Sequence, residues 1–260
     1  VILIALFLAA QEATVRGTVE VGHRVPAARR LRMDSDPKVA VMHAQAPLDE
    51  GLLVDADNRI KWAFVYVKRG LEGTYPVPTT PVLLEFNRGI LTPRVFGIRA
   101  GQELLIRNRD NVLHNCHSLP FTNKEFNFGM PVAGYQEKKR FDAPEVMIKL
   151  KCDVHPYDCS WAGVVAHPFF AVTDEHGRFE IPGLPPGRYV LEVRHEKCDA
   201  VEREIEVKAG QIATLDFVVA LTGGPPPRNW KPFLIAGGAA AAVLVFLGFL
   251  LFRRPRAARA

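Results

Sequence analysis

Two short segments of this 260-residue chain hold most of its candidate metal-binding side chains: NRDNVLHNCHSLP, around His114, and KLKCDVHPYDCSW, around Cys152. Two imidazole nitrogens and one thiolate in a trigonal plane, usually with a weak axial sulfur, form the ligand set of a blue-copper electron-transfer centre. Such a centre takes its first histidine from a distant strand and its other ligands from one loop near the end of the domain. Cys152 and His155, spaced C-x2-H between apolar runs, fit that loop, and His114 with Asn115 fits the distant strand. The two segments are remote in sequence, so only the fold can unite them.

The runs around these segments are short and alternating or continuously apolar. WAFVYVK, VLLEF, ELLIRNR, VMIKLKC and AGVVAHP are separated by Gly, Pro and Asn, which predicts an all-β sandwich or barrel over residues 14–169. A second set of strands begins near Phe170, with FAVTD, FEIPGL, YVLEVRH, VEREIEV and IATLDFVVAL joined by Gly turns, and predicts a small β-sandwich over 170–221. His176 stands in a turn and His195 at a strand end, without a third convergent partner for zinc. GGPPPRNW begins an extended, Pro-stiffened linker over 222–232.

These stretches resemble known families. TDEHGRFEIPGLPPGRYVLEVRH is similar to the carboxypeptidase regulatory-like, transthyretin-like sandwich, which implies a folding or interaction module. NRDNVLHN and CDVHP resemble a plastocyanin or azurin-type cupredoxin. RVFGIRAGQELLIRNRD, HNCHSLP, FN, CDVHP and HPFFAVTDEHGRF together resemble exported bacterial proteins that join the two modules, from Gly17 to about Val219. The resemblance implies a cupredoxin-like Greek-key sandwich followed by the transthyretin-like one. It makes His114, Cys152 and His155 the equatorial copper ligands and gives Asn115 the role of holding the ligand loop through backbone hydrogen bonds.

The axial position departs from that pattern. Relatives usually read CDVHPWM, whereas CDVHPYD puts Asp158 where the Met would stand, and the plastocyanin-like alternative is Ser160. Asp158 is then either a hard axial oxygen or a solvated loop residue; Met130 and Met147 are expected to be packing residues. His117 and His167 are expected at structural or rim positions. Cys116 and Cys159 stand close enough in sequence to the ligands to compete for Cys152 as disulfide partners. The cysteines that relatives tend to carry near Val39 and Ile90 are absent.

Beyond the sandwiches, FLIAGGAAAAVLVFLGFLLF over 233–252 is uncharged, and 20 residues at about 1.5 Å each match a hydrocarbon core of about 30 Å. It predicts a transmembrane helix with a basic cytoplasmic tail over 253–260, since the Arg excess lies in RRPRAARA. The main domains would face the periplasm of a bacterial inner membrane, with Trp230 at the interface. VILIALFLAA opens residues 1–13, read as a signal-like segment or second anchor; without an initiating Met, the true start is expected upstream. The net charge of +5 is 33 Lys and Arg minus 28 Asp and Glu, and Arg253, Arg254, Arg256 and Arg259 supply four of it, so it gives no argument for nucleic acid.

Phosphate loops and nucleophile elbows are missing, and no Ser, His and Asp set can be assembled, so no enzyme is expected. Two readings remain. One is an accessory subunit of a respiratory or photosynthetic membrane complex that carries single electrons on one copper to or from a partner such as a cytochrome. The other is a copper-free subunit that clamps such a complex, with the small-residue run GGAAAAV serving close helix packing.

Overall fold

The computed structural model describes residues 11–34 and 36–223. In chain order the elements are β1 (Ala13–Val21), the short helix α1 (Pro37–Ala40), β2 (Phe64–Arg69), β3 (Val82–Asn87), β4 (Ile90–Thr92), β5 (Val95–Arg99), β6 (Leu104–Asn108), β7 (His114–Leu119), β8 (Asn127–Met130), β9 (Gln136–Lys139), β10 (Glu145–Lys151) and β11 (Cys159–Val165). They continue with β12 (Phe170–Val172), β13 (Arg178–Leu184), β14 (Gly187–His195), β15 (Cys198–Val207), β16 (Ile212–Thr214) and β17 (Phe217–Val219). Among the described residues the fold is all-β apart from α1 and one 3-10 turn.

Strands β3 to β11 form one sandwich from the sheets β4-β3-β6-β9 and β5-β11-β10-β7-β8. Its core includes Leu84, Phe86, Ile98, Ile106, Phe141, Ile148 and Leu150, all essentially inaccessible. Side chains alternate across a strand, so the inward positions of β7 are His114, Cys116 and Ser118, and those of β10 are Ile148 and Leu150, a face that Cys152 continues. Because β7 and β10 pair antiparallel through Leu150–Ser118 and Lys151–His117, the start of one strand lies beside the end of the other. That places the two chemistry-bearing segments at one end of the sandwich.

The second sandwich is not the contiguous unit expected over 170–221, nor does the first occupy 14–169. Strand β1 pairs antiparallel with β13 and parallel with β16 and β17, while β2 lies between β12 and β14. Val15, Val19, Val65 and Val67 accordingly pack with Ile181, Leu191, Val193 and Phe217 in one core. The physical reason is non-local pairing: residues 170–221 alone lack the strands that complete both sheets. Strand β1 passes so close to the return chain that a Cβ on Gly17 would fall 1.9 Å from the Leu215 carbonyl oxygen, where β1 changes partner from β16 to β17. The first sandwich is thus inserted between β2 and β12 of the second.

The two sandwiches pack through Phe64, Val95 and Val165, with Trp62, Tyr66, Met147, Trp161 and Phe170 around them. The expected membrane helix over 233–252, the tail over 253–260 and nearly all of the apolar segment and linker lie outside the described residues. Among the described residues, no helix is long and apolar enough to cross a membrane.

Candidate metal centre

The turn between β3 and β4 begins the site. Arg88 and Gly89 have φ of 55° and 74°, positive at both central positions as the tight hairpin turn matching strand twist requires. Their N–H groups donate to Asp110, Arg88 to Oδ1 at 2.6 Å and Gly89 to Oδ2 at 2.7 Å. Asn108, wholly buried, fixes the same loop: its Oδ1 accepts from the Asp110 N–H at 2.8 Å, and its Nδ2 donates to the carbonyls of Val112 and Met130. Asp110 in turn accepts from His114 Nε2 at 3.1 Å. The imidazole lies flat on Phe86, with ring centroids 4.3 Å apart and planes 12° apart.

The ligand loop is tied by Asn115. Its Oδ1 accepts from the N–H groups of Asp153 at 2.6 Å and Val154 at 3.3 Å, and the Cys152 Sγ lies 3.5 Å away. His155 Nε2 donates to Asp36 Oδ2 at 3.1 Å. His114, Cys152 and His155 are all fully buried.

Their ligand atoms converge. The two histidine Nδ1 atoms are 3.1 Å apart, and the Cys152 Sγ is 3.5 Å from His155 Nδ1 and 3.9 Å from His114 Nδ1. Metal–nitrogen bonds of about 2.0 Å and metal–sulfur bonds of about 2.3 Å place such donors roughly 3 to 4 Å apart around one ion, so the set fits a single metal. Among the described residues this is the one group of three such side chains whose ligand atoms all lie within 4.8 Å of one another.

Electrostatics assign the tautomers. Burial pushes Asp110 upward, but hydrogen bonds from His114, Gly89 and Arg88 outweigh it and hold it below the ordinary carboxylate range. The hydrogen bond from His155 likewise holds Asp36 low. Burial pushes His155 down despite Asp36, so that ring is neutral near pH 7. An ionised carboxylate accepts only, so each Nε2 carries a proton toward its Asp, and in the neutral His155 ring Nδ1 is left with a lone pair facing the site. The Cys152 sulfur lies within hydrogen-bonding reach of both Nδ1 atoms. Burial raises the Cys152 thiol, so metal binding there must displace a proton.

Asp158 is not the solvated residue that was one expectation for it. It is 4% exposed, and burial pushes its carboxyl up to about 7. Backbone hydrogen bonds from Leu91 and Cys159 hold it, its Oδ2 has no partner, and it is outside the converging group. Ser160 donates to the Pro93 carbonyl at 2.6 Å. Met130 pairs with His114 across β7 and β8, and Met147, with φ of 68°, sits at a bulge of β10 against the second sandwich. All four cysteines are free, so neither Cys116 nor Cys159 is bonded to Cys152. His117 bridges Asp153 and Glu125, His167 donates to the Val67 carbonyl, and buried His195 accepts from the Lys197 N–H.

Sequence reasoning missed Asp36, Asp110, Phe86 and Asn108. Asp110 carried a local signal, four positions before His114 in NRDN; Asp36 carried none, since its partner is 119 positions away.

Residues 164–220 match the carboxypeptidase regulatory-like domain. They cover β12 to β17 and the end of β11, without the β1 and β2 strands that complete the same sandwich. Similar solved structures include a purple cupredoxin from Nitrosopumilus maritimus, at 22% identity over 32% of this chain and 98% of that one, with a TM-score of 0.27. A copper-containing nitrite reductase from Thermus scotoductus SA-01 is 19% identical over 36% of this chain and 24% of its own, with a TM-score of 0.29. A reduced amicyanin variant is 15% identical over 34% of this chain and 86% of its own, with a TM-score of 0.30. No curated protein matches the chain.

Proposed function

We propose that this chain is a mononuclear copper protein of the cupredoxin type that carries single electrons, held by His114, Cys152 and His155, and that it does no catalysis of its own. The observation that carries the reading is the pair of imidazoles whose outer nitrogens are each bound to an aspartate and whose inner nitrogens face Cys152 within 3.5 to 3.9 Å. Copper there would supply a one-electron couple with its charge shared by a thiolate sulfur. The chain's own part is to keep the ligands still. Asp110 and Asp36 fix the rings, Asn115 fixes the loop, and the buried shell excludes water, so the ligands need little rearrangement when the charge changes.

The apolar stretch at 233–252 and the Arg-rich end after it support a place at the periplasmic face of a bacterial inner membrane, as an accessory subunit of a respiratory or photosynthetic electron-transfer complex with a cytochrome-like protein partner. The second sandwich, with no converging ligand set among its described residues, supports a docking or folding role.

The test is copper per polypeptide and the visible spectrum of the oxidised full chain, purified from its native membrane in mild detergent. About one copper with an intense thiolate band, lost in Cys152→Ser, is the expected result. A copper-free chain that co-purifies with a complex would overturn the carrier reading and leave the clamp.

A further inference from the structure

The two ligand histidines are held in different ways. His114 is enclosed by the strands and turn of its own sandwich. His155 is met on its outer nitrogen by Asp36, from a connection that contributes to neither sandwich's sheets. Asp36 is also the N-cap of α1: its Oδ1 accepts from the Lys38 N–H at 2.9 Å while its Oδ2 accepts from His155. Pro37 starts the helix, where its missing N–H costs nothing, so the carboxylate is set by local chain geometry.

The helix is seated by packing as well. Val39 is fully buried with Met33 and Val112, against Ile90 and Tyr157. It rests on Gly89, where a Cβ would come within 2.1 Å of Val39 Cγ1. His43 Nε2 donates to the Arg88 carbonyl at 2.7 Å, and the Arg88 guanidinium donates to the Met42 carbonyl. The turn that holds Asp110, and through it His114, is therefore also the seat of the helix that holds Asp36, and through it His155. One turn carries both outer supports of the site.

We propose that α1 with Asp36 is a cap on the metal centre, in which Asp36 is a positioning residue that fixes His155 in the tautomer with its proton on Nε2 and the helix closes that ring edge to solvent. This rests on the metal-centre reading of the site, but its consequences show in the metal-free chain. With the cap in place, reagents reach His155 only when α1 lifts; with the carboxylate gone, they reach it readily.

The experiment is acylation of the metal-free full chain with diethyl pyrocarbonate, read residue by residue by mass spectrometry, with exposed His176 as internal standard. In the wild type His155 should react at least about tenfold more slowly than His176, because reaction waits on local opening, and Asp36→Ala should remove most of that protection while His114 stays protected. Wild-type His155 reacting as fast as His176, or an unchanged His155 rate in Asp36→Ala, would overturn the cap. Asp36→Asn separates positioning from folding, because its amide oxygen still caps Lys38 while its amide N–H faces His155. Imidazole 15N shifts should then report the proton on Nε2 in the wild type and on Nδ1 in Asp36→Asn. A ring that keeps its Nε2 proton in that variant would refute the positioning role. Failure of the chain to take up copper would remove the carrier reading and leave these metal-free results to stand or fall alone.

Discussion

Asp110 does at residue scale what no ligand does alone: it accepts from two backbone amides and from a ligand imidazole at once. Asp110→Asn would bring an N–H against the same donors, break the assignment of the His114 ring and lower copper affinity about 10- to 100-fold, measured by competition with a chelator. Asp158 is a separate case because it is buried without a role in the converging group. Its carboxyl is raised to about 7 in the folded chain from 3.8, so folding favours the protonated form. Its contribution is fully present below pH 3.8 and is lost as pH rises through 7. Asp158→Asn should therefore gain stability relative to the wild type between pH 5 and 8, by about 4 kcal/mol at most, in urea unfolding at the two pH values. His114, Cys152, His155 and Asn115 were legible because their types are rare together and their spacing is local to two segments. Asp36 was illegible because a carboxylate in a polar connection looks like any solvated residue until its partner is known.

At the scale of elements, the turn at Arg88 and Gly89 carries more than a hairpin. Gly89 has a left-handed φ of 74° and faces Val39 with no room for a side chain. Gly89→Ala should strain the backbone and push α1 off its seat, costing about 1–3 kcal/mol in chemical denaturation, and should expose His155 as the loss of Asp36 does. Val39→Ala, which removes packing and leaves the turn intact, should expose His155 with the β3–β4 turn undisturbed. The strands themselves were readable from period-2 alternation: VMIKLKC puts Ile148, Leu150 and Cys152 on one face, all buried as that period demands. α1 was not read at all, since four residues are too few to show a helical period and the partners Ile90, Val112 and Tyr157 of its buried Val39 are remote in sequence.

At the scale of the whole molecule the insertion decides which pieces are stable alone. Reading strands in order predicts two consecutive sandwiches, because alternation marks that a strand exists and says nothing of its partner. β1 and β13 pair Gly17 with Phe179 across more than half the chain, a contact no local pattern records. The matched region 164–220 therefore ends short of a complete core. Within it Ile181, Leu184 and Phe217 lose Val15 and Val19, and Leu191 and Val193 lose Val65 and Val67. A fragment of residues 164–223 should give a poorly dispersed amide NMR spectrum and no cooperative thermal transition. Joining residues 11–69 to 164–223 through a short flexible linker in place of the inserted sandwich should restore both, because every strand of the outer sheets is then present. A cooperative transition in the short fragment alone would mean that β1 and β2 only cover a core already closed without them.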